Sequence, residues 1–307
     1  MFERLVLGLG LFVGSLAIGR WLSARGALSE TRAAWLIRLV VTKLSPCVLC
    51  LSFWRLEITD RSLWILPVLG CIVSVTALLP AWAYARLAQL SAPQTGSMLT
   101  CALVSNLGFL GAFTAFALHG EVAYGLAMWY LVYFSPCFYV VGFALAKRFG
   151  QQVSASGQAS FLSDQLRLLP LLGLLLGLVL SVTRVPRPAI FESINRALIP
   201  LDTAMYLAAI GSQLTWEPIG RWRMPCAVMS VIKFVYSPLI AWALVQLGHV
   251  QGLPRFIVLL QAAMPVAISP LMLPMLFGLD RRLSNALWLF TTVLAIPWLL
   301  IYLPLIR

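Results

Sequence analysis

Three ionisable residues, Lys43, Asp202 and Lys233, lie well inside long apolar stretches of the sequence. Charged groups at such a depth in a membrane are costly unless they are paired, hydrated or functional. Lys43 and Asp202 either form an ion pair between two helices, or Lys43 faces a substrate while Asp202 tunes it or exchanges a proton. Lys233 either neutralises helix carbonyl ends or attracts a carboxylate. In each functional alternative the lysine acts on a small anion.

The stretch QAAMPVAISPLMLPMLFGLD, residues 261–280, is apolar but contains Pro265, Pro270 and Pro274. A proline inside a helix removes a backbone hydrogen bond, and its ring clashes with the preceding turn. The stretch therefore predicts a broken helix. Opened half-helices direct amide N–H groups and positive dipole ends towards the break, which suits an anionic ligand.

A second segment, VSNLGFLGAFTAFALHG at residues 104–120, contains two glycines beside a serine and an asparagine. We predict a second break there, and binding at the two breaks is favoured over two packing kinks. The residues predicted to form the site are Ser105, Asn106, Gly108, Gly111, Gln261, Met264, Pro265, Ser269 and Pro270. Gln261 and Ser269 either bind substrate or cap the freed backbone.

Membrane-spanning helices must position these residues. Of the 307 residues, 61% are hydrophobic and 10% are charged, and apolar runs of about 20 residues, the length that crosses a hydrocarbon core, recur along the chain. The sequence therefore predicts an all-α polytopic membrane protein. The ten predicted spans are residues 2–22, 33–53, 64–84, 98–118, 125–146, 166–183, 194–214, 224–247, 256–277 and 283–305.

The net charge of +12 is unevenly distributed between the two sets of predicted loops. Lys and Arg are more numerous on the side that is cytoplasmic when both termini are outside. The positive-inside rule therefore favours both termini outside. In a membrane protein this charge is explained by loop asymmetry, and we expect no nucleic-acid partner.

Enzyme classes are not favoured by the sequence. All six cysteines fall inside predicted spans, which disfavours a disulfide framework. Cys47 and Cys50 form a CxxC pattern, for which small helix-packing residues are favoured over redox or metal chemistry. The sequence has no metal-ligand cluster, P-loop, nucleophile elbow or paired catalytic carboxylates. We therefore expect no catalytic residue, no metal and no cofactor.

The second half of the chain repeats the first. A shift of 158 positions aligns Trp64 with Trp222 and Pro67 with Pro225 without a gap from the second span to the fifth. Chance alignment of apolar helices would not preferentially pair tryptophans and prolines. The repeat also requires a first span to match the sixth, so the N-terminal apolar run is interpreted as a retained helix and not as a signal peptide.

Each repeat contains five spans, an odd number, so the second copy must enter the membrane from the opposite face. The predicted domains are residues 1–149, a linker at 150–163, and residues 164–307. Inverted repeats are common in secondary transporters, whose substrate site lies near the membrane midplane and is alternately accessible from each side.

Three segments carry a resemblance to a known family. They are SNLGFLG at residues 105–111, SVIKFVYSPLIAWAL at 230–244 and QAAMPVAISPLMLPMLFGLDRRLSNALWLFTTVLAIP at 261–297. They resemble the auxin efflux carrier (PIN-like) family in its bacterial branch, within the bile acid/sodium symporter-like superfamily. The resemblance covers essentially the whole chain. Its matched positions are Asn106, Gly108, Gly111, Lys233, Pro238, Met264 and Pro265.

The resemblance implies a bile-acid-symporter-like fold in which broken helices 4 and 9 cross. Helices 1, 2, 6 and 7 would form a scaffold, often dimeric, and helices 3–5 and 8–10 a transport domain that moves like an elevator. The implied function is secondary transport of small organic anions across the plasma (bacterial inner) membrane. The family carries auxin in plants, and its bacterial members are linked to dicarboxylates such as malonate and malate.

Two other functions are compatible with an apolar, multi-span chain. A sodium-coupled symporter of the bile-acid type would need an oxygen-rich cation site, but Asp202 is the only acid predicted to be buried, and it is distant from the breaks. A membrane sensor would bind a ligand without moving it. The substrate, a proton or sodium coupling ion, the direction of transport and the oligomeric state do not follow from the sequence.

Overall fold

A computed structural model describes residues 2–56, 61–151, 168–213 and 219–306. These residues form helices and loops and contain no β-strand, apart from one isolated antiparallel bridge between Ser105 and Val266. The all-α prediction is therefore confirmed. The predicted linker at 150–163 falls mainly on residues 152–167, which are outside the described residues.

The α-helices of the described residues follow one another in chain order. They are α1 (Phe2–Ala24), α2 (Glu30–Leu39), α3 (Ser45–Arg55), α4 (Ile65–Thr76), α5 (Leu78–Leu87), α6 (Ala92–Leu103), α7 (Phe113–His119), α8 (Glu121–Tyr130), α9 (Phe134–Cys137), α10 (Phe143–Phe149), α11 (Leu169–Val182), α12 (Ile190–Ser212), α13 (Arg223–Val231), α14 (Ser237–Leu247), α15 (Gly252–Ala262), α16 (Leu273–Phe277) and α17 (Arg281–Tyr302).

Within the described residues, six helical stretches are long and apolar enough to cross a membrane. They are Val6–Ala24, Glu30–Arg55, Ile65–Leu87, Glu121–Phe149, Gly220–Leu247 and Arg281–Tyr302. The protein is therefore a multi-pass membrane protein. Six is fewer than the ten predicted spans, and the difference has a local physical cause in each case.

The four remaining predicted spans are interrupted, short or polar. Residues 98–118 and 256–277 each contain a break in the helix. Helix α11 has 14 residues, and the predicted start of its span at residue 166 lies outside the described part of the chain. Helix α12 has 23 residues but carries Glu192, Arg196 and Asp202 along its length.

In the part of the chain that the structure describes, four π-helical turns interrupt the regular helices. They are Val40–Leu44, Leu107–Ala112, Phe138–Gly142 and Ile232–Tyr236. The first and last come directly before Ser45-Pro46 and Ser237-Pro238. A proline ring clashes with the carbonyl four residues earlier, and a wider turn at that place relieves the clash. Such π-turns occur frequently at functional sites.

The chain divides into two compact units that interleave along the sequence. Unit 1 contains Met1–Arg61, Gly108–Met128 and Leu162–Thr215, whereas unit 2 contains Ser62–Leu107, Trp129–Phe161 and Trp216–Arg307. Each unit therefore draws segments from both halves of the sequence.

Glycines set the closest helix packing in unit 1. Helix α11 packs on α3, and a Cβ built on Gly173 would stand 2.2 Å from the carbonyl oxygen of Pro46. Helix α1 packs on α12 in a similar way, and a Cβ on Gly211 would stand 2.2 Å from the carbonyl oxygen of Leu16. Small residues allow helix backbones to approach closely in membranes, where packing is the main cause of association.

Candidate functional site

The first break lies at residues 104–106, in unit 2. Helix α6 ends at Leu103 because Val104 has extended backbone angles, φ −123° and ψ 141°. The next helical turn begins at Leu107 and contains Gly108 and Gly111, which belong to unit 1. The helix is therefore interrupted at residues 104–106, just before the two glycines.

The second break lies at residues 263–268, also in unit 2. Helix α15 ends at Ala262, and a 3-10 turn at Ser269–Met272 leads into α16. Pro265 and Pro270 lack a backbone N–H, so neither can donate the bond that would continue the helix.

The two breaks pair with each other through backbone hydrogen bonds. The amide of Asn106 donates to the carbonyl of Pro265 at 2.8 Å, and the amide of Ala267 donates to the carbonyl of Val104 at 3.3 Å. Ser105 and Val266 stand opposite each other in the antiparallel bridge. Non-helical backbone at membrane depth must find such partners inside the protein. The sequence indicated both breaks but gave no sign of this pairing.

Thr291 on α17 satisfies another backbone group of the second break. Its hydroxyl accepts a hydrogen bond from the amide of Val266 at 3.2 Å, and it donates in turn to the carbonyl of Leu287 at 2.8 Å. Sequence reasoning missed this residue. The available signal was a series of polar and amphipathic side chains at helical spacing on α17, namely Ser284, Trp288, Thr291 and Thr292, all of them buried.

Lys233 caps the end of α6 at the first break. Its ammonium donates to the carbonyls of Ala102 at 2.7 Å and Val104 at 3.1 Å, and to the Ser105 hydroxyl at 2.9 Å. An ammonium has three N–H donors, so all are used. The positive charge also meets the negative end of the α6 dipole. Of the two roles that the sequence left open, these contacts match the neutralising of helix carbonyls.

The structure brings several predicted site residues together in unit 2. Ser105, Asn106 and Pro265 meet through the paired breaks, and Met264 adjoins Pro265 with a fully buried side chain. Asn106 is 4% exposed, and among the described residues its Nδ2 has no hydrogen-bond partner. The hydroxyl of Ser269 likewise has none. Pro270 is buried in the 3-10 turn, and Gln261 is buried on α15.

Lys43 and Asp202 differ from the sequence prediction. Lys43 is exposed, so the prediction that it is buried is wrong, and no ion pair links it to Asp202 in the described part of unit 1. Asp202 is 4% exposed and accepts a hydrogen bond from the Ser45 hydroxyl at 2.7 Å. The π-turn at Val40–Leu44 precedes Ser45 and carries Lys43.

A second group of polar side chains in unit 1 was missed by sequence reasoning. Glu121 and Arg187 form an ion pair at 2.7 Å with both side chains 8% exposed. Asn195 on α12 donates to Glu121 and to the Ser52 hydroxyl. The prediction that Asp202 is the only buried acid is therefore wrong. Glu121 begins α8 directly after Gly120. It lies between the predicted spans 98–118 and 125–146, so the sequence predicts a loop at this position.

The cysteines and other metal-binding residue types form no chemical centre among the described residues. All six cysteines are free thiols, with Cys47 exposed and Cys50 partly exposed. The described residues contain no group of three or more His, Cys, Asp or Glu side chains that could hold a metal ion.

An all-helical, multi-pass chain with two paired helix breaks is built as membrane transporters are. The sequence matches the family model described as "Membrane transport protein" over residues 11–303. The chain therefore belongs to this family, the auxin efflux carrier family that its motifs resemble. This is a family of membrane transporters, not of enzymes, so a transported substrate and a lipid environment follow from membership.

Two archaeal proteins are similar to the chain. An uncharacterized transporter of Methanothermobacter thermautotrophicus is 24% identical over 283 residues, which are 91% of either chain. An uncharacterized transporter of Methanocaldococcus jannaschii is 24% identical over 201 residues, which are 64% of either chain.

Proposed function

We propose that this transporter is a secondary carrier of small organic anions, carboxylates in particular, and that it binds them at the paired breaks of unit 2. The observation that carries the proposal is the buried amide of Asn106, whose Nδ2 has no partner among the described residues. A buried donor without an acceptor is unfavourable, and a substrate carboxylate would supply the acceptor.

The charge around the breaks supports an anion as the ligand. Lys233 places a positive charge at the first break, and residues 104–112 and 261–277 contain no acidic side chain. Because the three Lys233 donors are already used, the lysine attracts the anion through its field and holds the backbone in place. Asn106 makes the direct contact.

We propose that Lys43 serves the same anion in unit 1. It lies near the middle of the membrane-crossing stretch Glu30–Arg55, and its side chain is exposed. A lysine at that depth is very costly against lipid, so we assign its side chain to a water-filled path. There it raises the local concentration of anions.

We further propose ten membrane crossings in two inverted five-helix repeats, with helices 4 and 9 broken and crossing. The packing of unit 1 supports this: α1 of the first repeat packs on α12 of the second, and α11 of the second packs on α3 of the first. Inverted repeats generate such exchanged pairs.

The mechanism that we propose is elevator-like alternating access. Scaffold helices 1, 2, 6 and 7 hold still while helices 3–5 and 8–10 carry the substrate across. The interleaved composition of units 1 and 2 supports a division by function instead of by repeat.

We also propose that the protein lies in the bacterial inner membrane as a homodimer, with both termini outside. The distribution of charge between the loops supports the orientation, and the family resemblance supports the location and the dimer.

Uptake of labelled malonate, malate and indole-3-acetate into proteoliposomes tests the proposed function. We expect saturable uptake of one of these anions by the purified full chain, compared under no gradient, a proton gradient and a sodium gradient. If thermal shift detects ligand binding but no flux is measured, the result would favour a sensor and overturn the proposal that the protein is a carrier. Uptake driven only by sodium would favour the sodium-coupled symporter.

A further inference from the structure

We propose that Asp202 is the proton-binding site of this carrier and that its protonation couples anion movement to a proton gradient. This inference rests on the proposed function and deepens it by naming the coupling ion and the residue that binds it. The argument uses only unit 1.

Asp202 occupies the middle of the 23-residue helix α12 and is almost completely buried. The only hydrogen bond of its carboxylate among the described residues comes from the Ser45 hydroxyl, 2.7 Å from Oδ1. A single hydroxyl replaces little of the hydration that an ionised carboxylate has in water.

No cation balances Asp202 in the described part of the chain. Lys43, on the π-turn beside Ser45, is exposed and forms no ion pair with Asp202, and the buried Tyr124 of α8 is a titratable neighbour of Asp202. Among the side chains that the structure describes, the other ionisable residues on the elements packed against α12 are Glu3, Arg20, Glu30, Arg32, Arg38, Cys47, Cys50 and Arg55, none of which forms an ion pair with Asp202, and His119 on α7.

The ion pair of Glu121 and Arg187 shows the contrast within the same unit. That buried acid has a cation at 2.7 Å and a second donor from Asn195. The Arg187 guanidinium and the Asn195 amide therefore compensate the charge of the Glu121 carboxylate. Asp202 has no such partner, so binding a proton is the way in which it becomes compatible with burial.

Protonation of Asp202 has a direct consequence for transport. The carboxylate takes up one proton, becomes neutral and can still accept the Ser45 hydrogen bond. A carrier that moves one monoanion together with this proton moves no net charge, so a pH gradient concentrates the anion. A carrier without the proton site still exchanges anion for anion but does not respond to that gradient.

Infrared difference spectroscopy tests the proton site without any substrate. The carbonyl stretch of a protonated carboxyl group is followed in the purified full chain as pH is changed. We expect Asp202→Asn to lose a pH-dependent carboxyl band that the wild type shows. Glu192→Gln is the matched control, since Glu192 is an exposed acid on the same helix, paired with Arg196. A spectrum unchanged by Asp202→Asn overturns the inference.

Transport tests the coupling. In proteoliposomes, Asp202→Asn should retain exchange of the labelled anion at equal concentrations on both sides but lose at least tenfold of the accumulation driven by a pH gradient. Glu192→Gln should retain both, and Asp202→Glu, which restores a titratable group, should recover part of the accumulation if the asparagine variant folds poorly.

Normal pH-driven accumulation by a folded Asp202→Asn protein would overturn the inference, as would accumulation driven by sodium alone. If the wild type carries none of the anions, the proposed function fails, but the infrared result still decides whether Asp202 binds a proton. The two failures are therefore distinguishable.

Discussion

Lys43 and Lys233 each stand on a π-turn followed by a serine and a proline, yet their surroundings are opposite. Lys233 is buried and donates to three oxygens, whereas Lys43 is exposed and has no partner among the described residues. The sequence placed both lysines in apolar stretches and assigned the same burial to both. Their difference depends on which neighbours face each turn, and residue spacing carries no such information.

Replacing the two lysines should separate stability from transport. Lys233→Met leaves two helix carbonyls and a serine buried without their donor, so we expect a loss of about 2–4 kcal/mol in the free energy of unfolding. Lys43→Met removes no contact and should leave stability unchanged while lowering anion uptake. Thermal unfolding and uptake measured on both proteins check this. Equal destabilisation by the two changes would contradict the assigned roles.

Asn106 should control affinity for the anion. Asn106→Leu keeps a similar volume but removes the buried amide donor, so we expect apparent affinity to fall by about 10- to 100-fold, the effect of losing one hydrogen bond to a charged group. Gln246→Leu, at an exposed amide on α14, is the control. Concentration-dependent uptake measures both. An unchanged half-saturation concentration in a folded Asn106→Leu protein would exclude Asn106 from the site.

At the scale of elements, the breaks were predictable because proline and glycine act locally. Pro265 and Gly108 alter their own turns whatever surrounds them. The partner of each break was not predictable, because the bonds from Asn106 to Pro265 and from Val266 to Thr291 join residues far apart in sequence. Such pairs depend on the tertiary fold.

The double change of Pro265→Leu and Gly108→Leu should leave a folded protein with transport reduced at least tenfold. Pro265→Leu restores a backbone N–H inside the second break, and Gly108→Leu raises the helix propensity of the turn that directly follows the first break. Both changes therefore favour drawing the paired amides and carbonyls into helical bonds. Uptake and circular dichroism together check this. Normal flux from a well-folded double variant would exclude the breaks as the binding site.

Helix packing in unit 1 should tolerate one glycine replacement but not another. Gly173→Ala places a Cβ 2.2 Å from the Pro46 carbonyl oxygen, so α11 must shift on α3, and we expect a cost of about 1–3 kcal/mol. Gly10→Ala, on α1 of the same unit, meets nothing within 4 Å and should be neutral. Thermal unfolding of both variants is the measurement, and equal midpoints would contradict this packing.

At the scale of the whole molecule, composition predicted a multi-pass, all-α protein, and its family match agrees. Length and hydropathy alone could not predict how α12 and the broken stretches differ from uniform apolar spans. The difference arises because polar residues such as Asp202 and Asn195 are buried inside the fold. A division of the sequence into two consecutive halves could not predict units 1 and 2, because each unit contains segments from both halves.

Orientation in the membrane is a testable property of the whole chain. We expect both termini outside the cytoplasm because the loops on the opposite side carry more Lys and Arg. Tags at each end, probed with a membrane-impermeant protease on intact cells and on inverted vesicles, measure this. Cleavage of both tags only in inverted vesicles would reverse the assignment.

The hydrogen bonds of Lys233 also give the chain an unusual amine chemistry. The sequence contains three lysines, Lys43, Lys147 and Lys233. Acylating reagents need an amine with a free lone pair, but the Lys233 ammonium is 1% exposed and shares each of its protons with an oxygen. Lys147, at the exposed end of α10, should react in every state. Lys43 can therefore report covalently on its own exposure, and the ratio of its label to that of Lys147, read by mass spectrometry, would follow the opening of the proposed water-filled path during the proposed transport cycle.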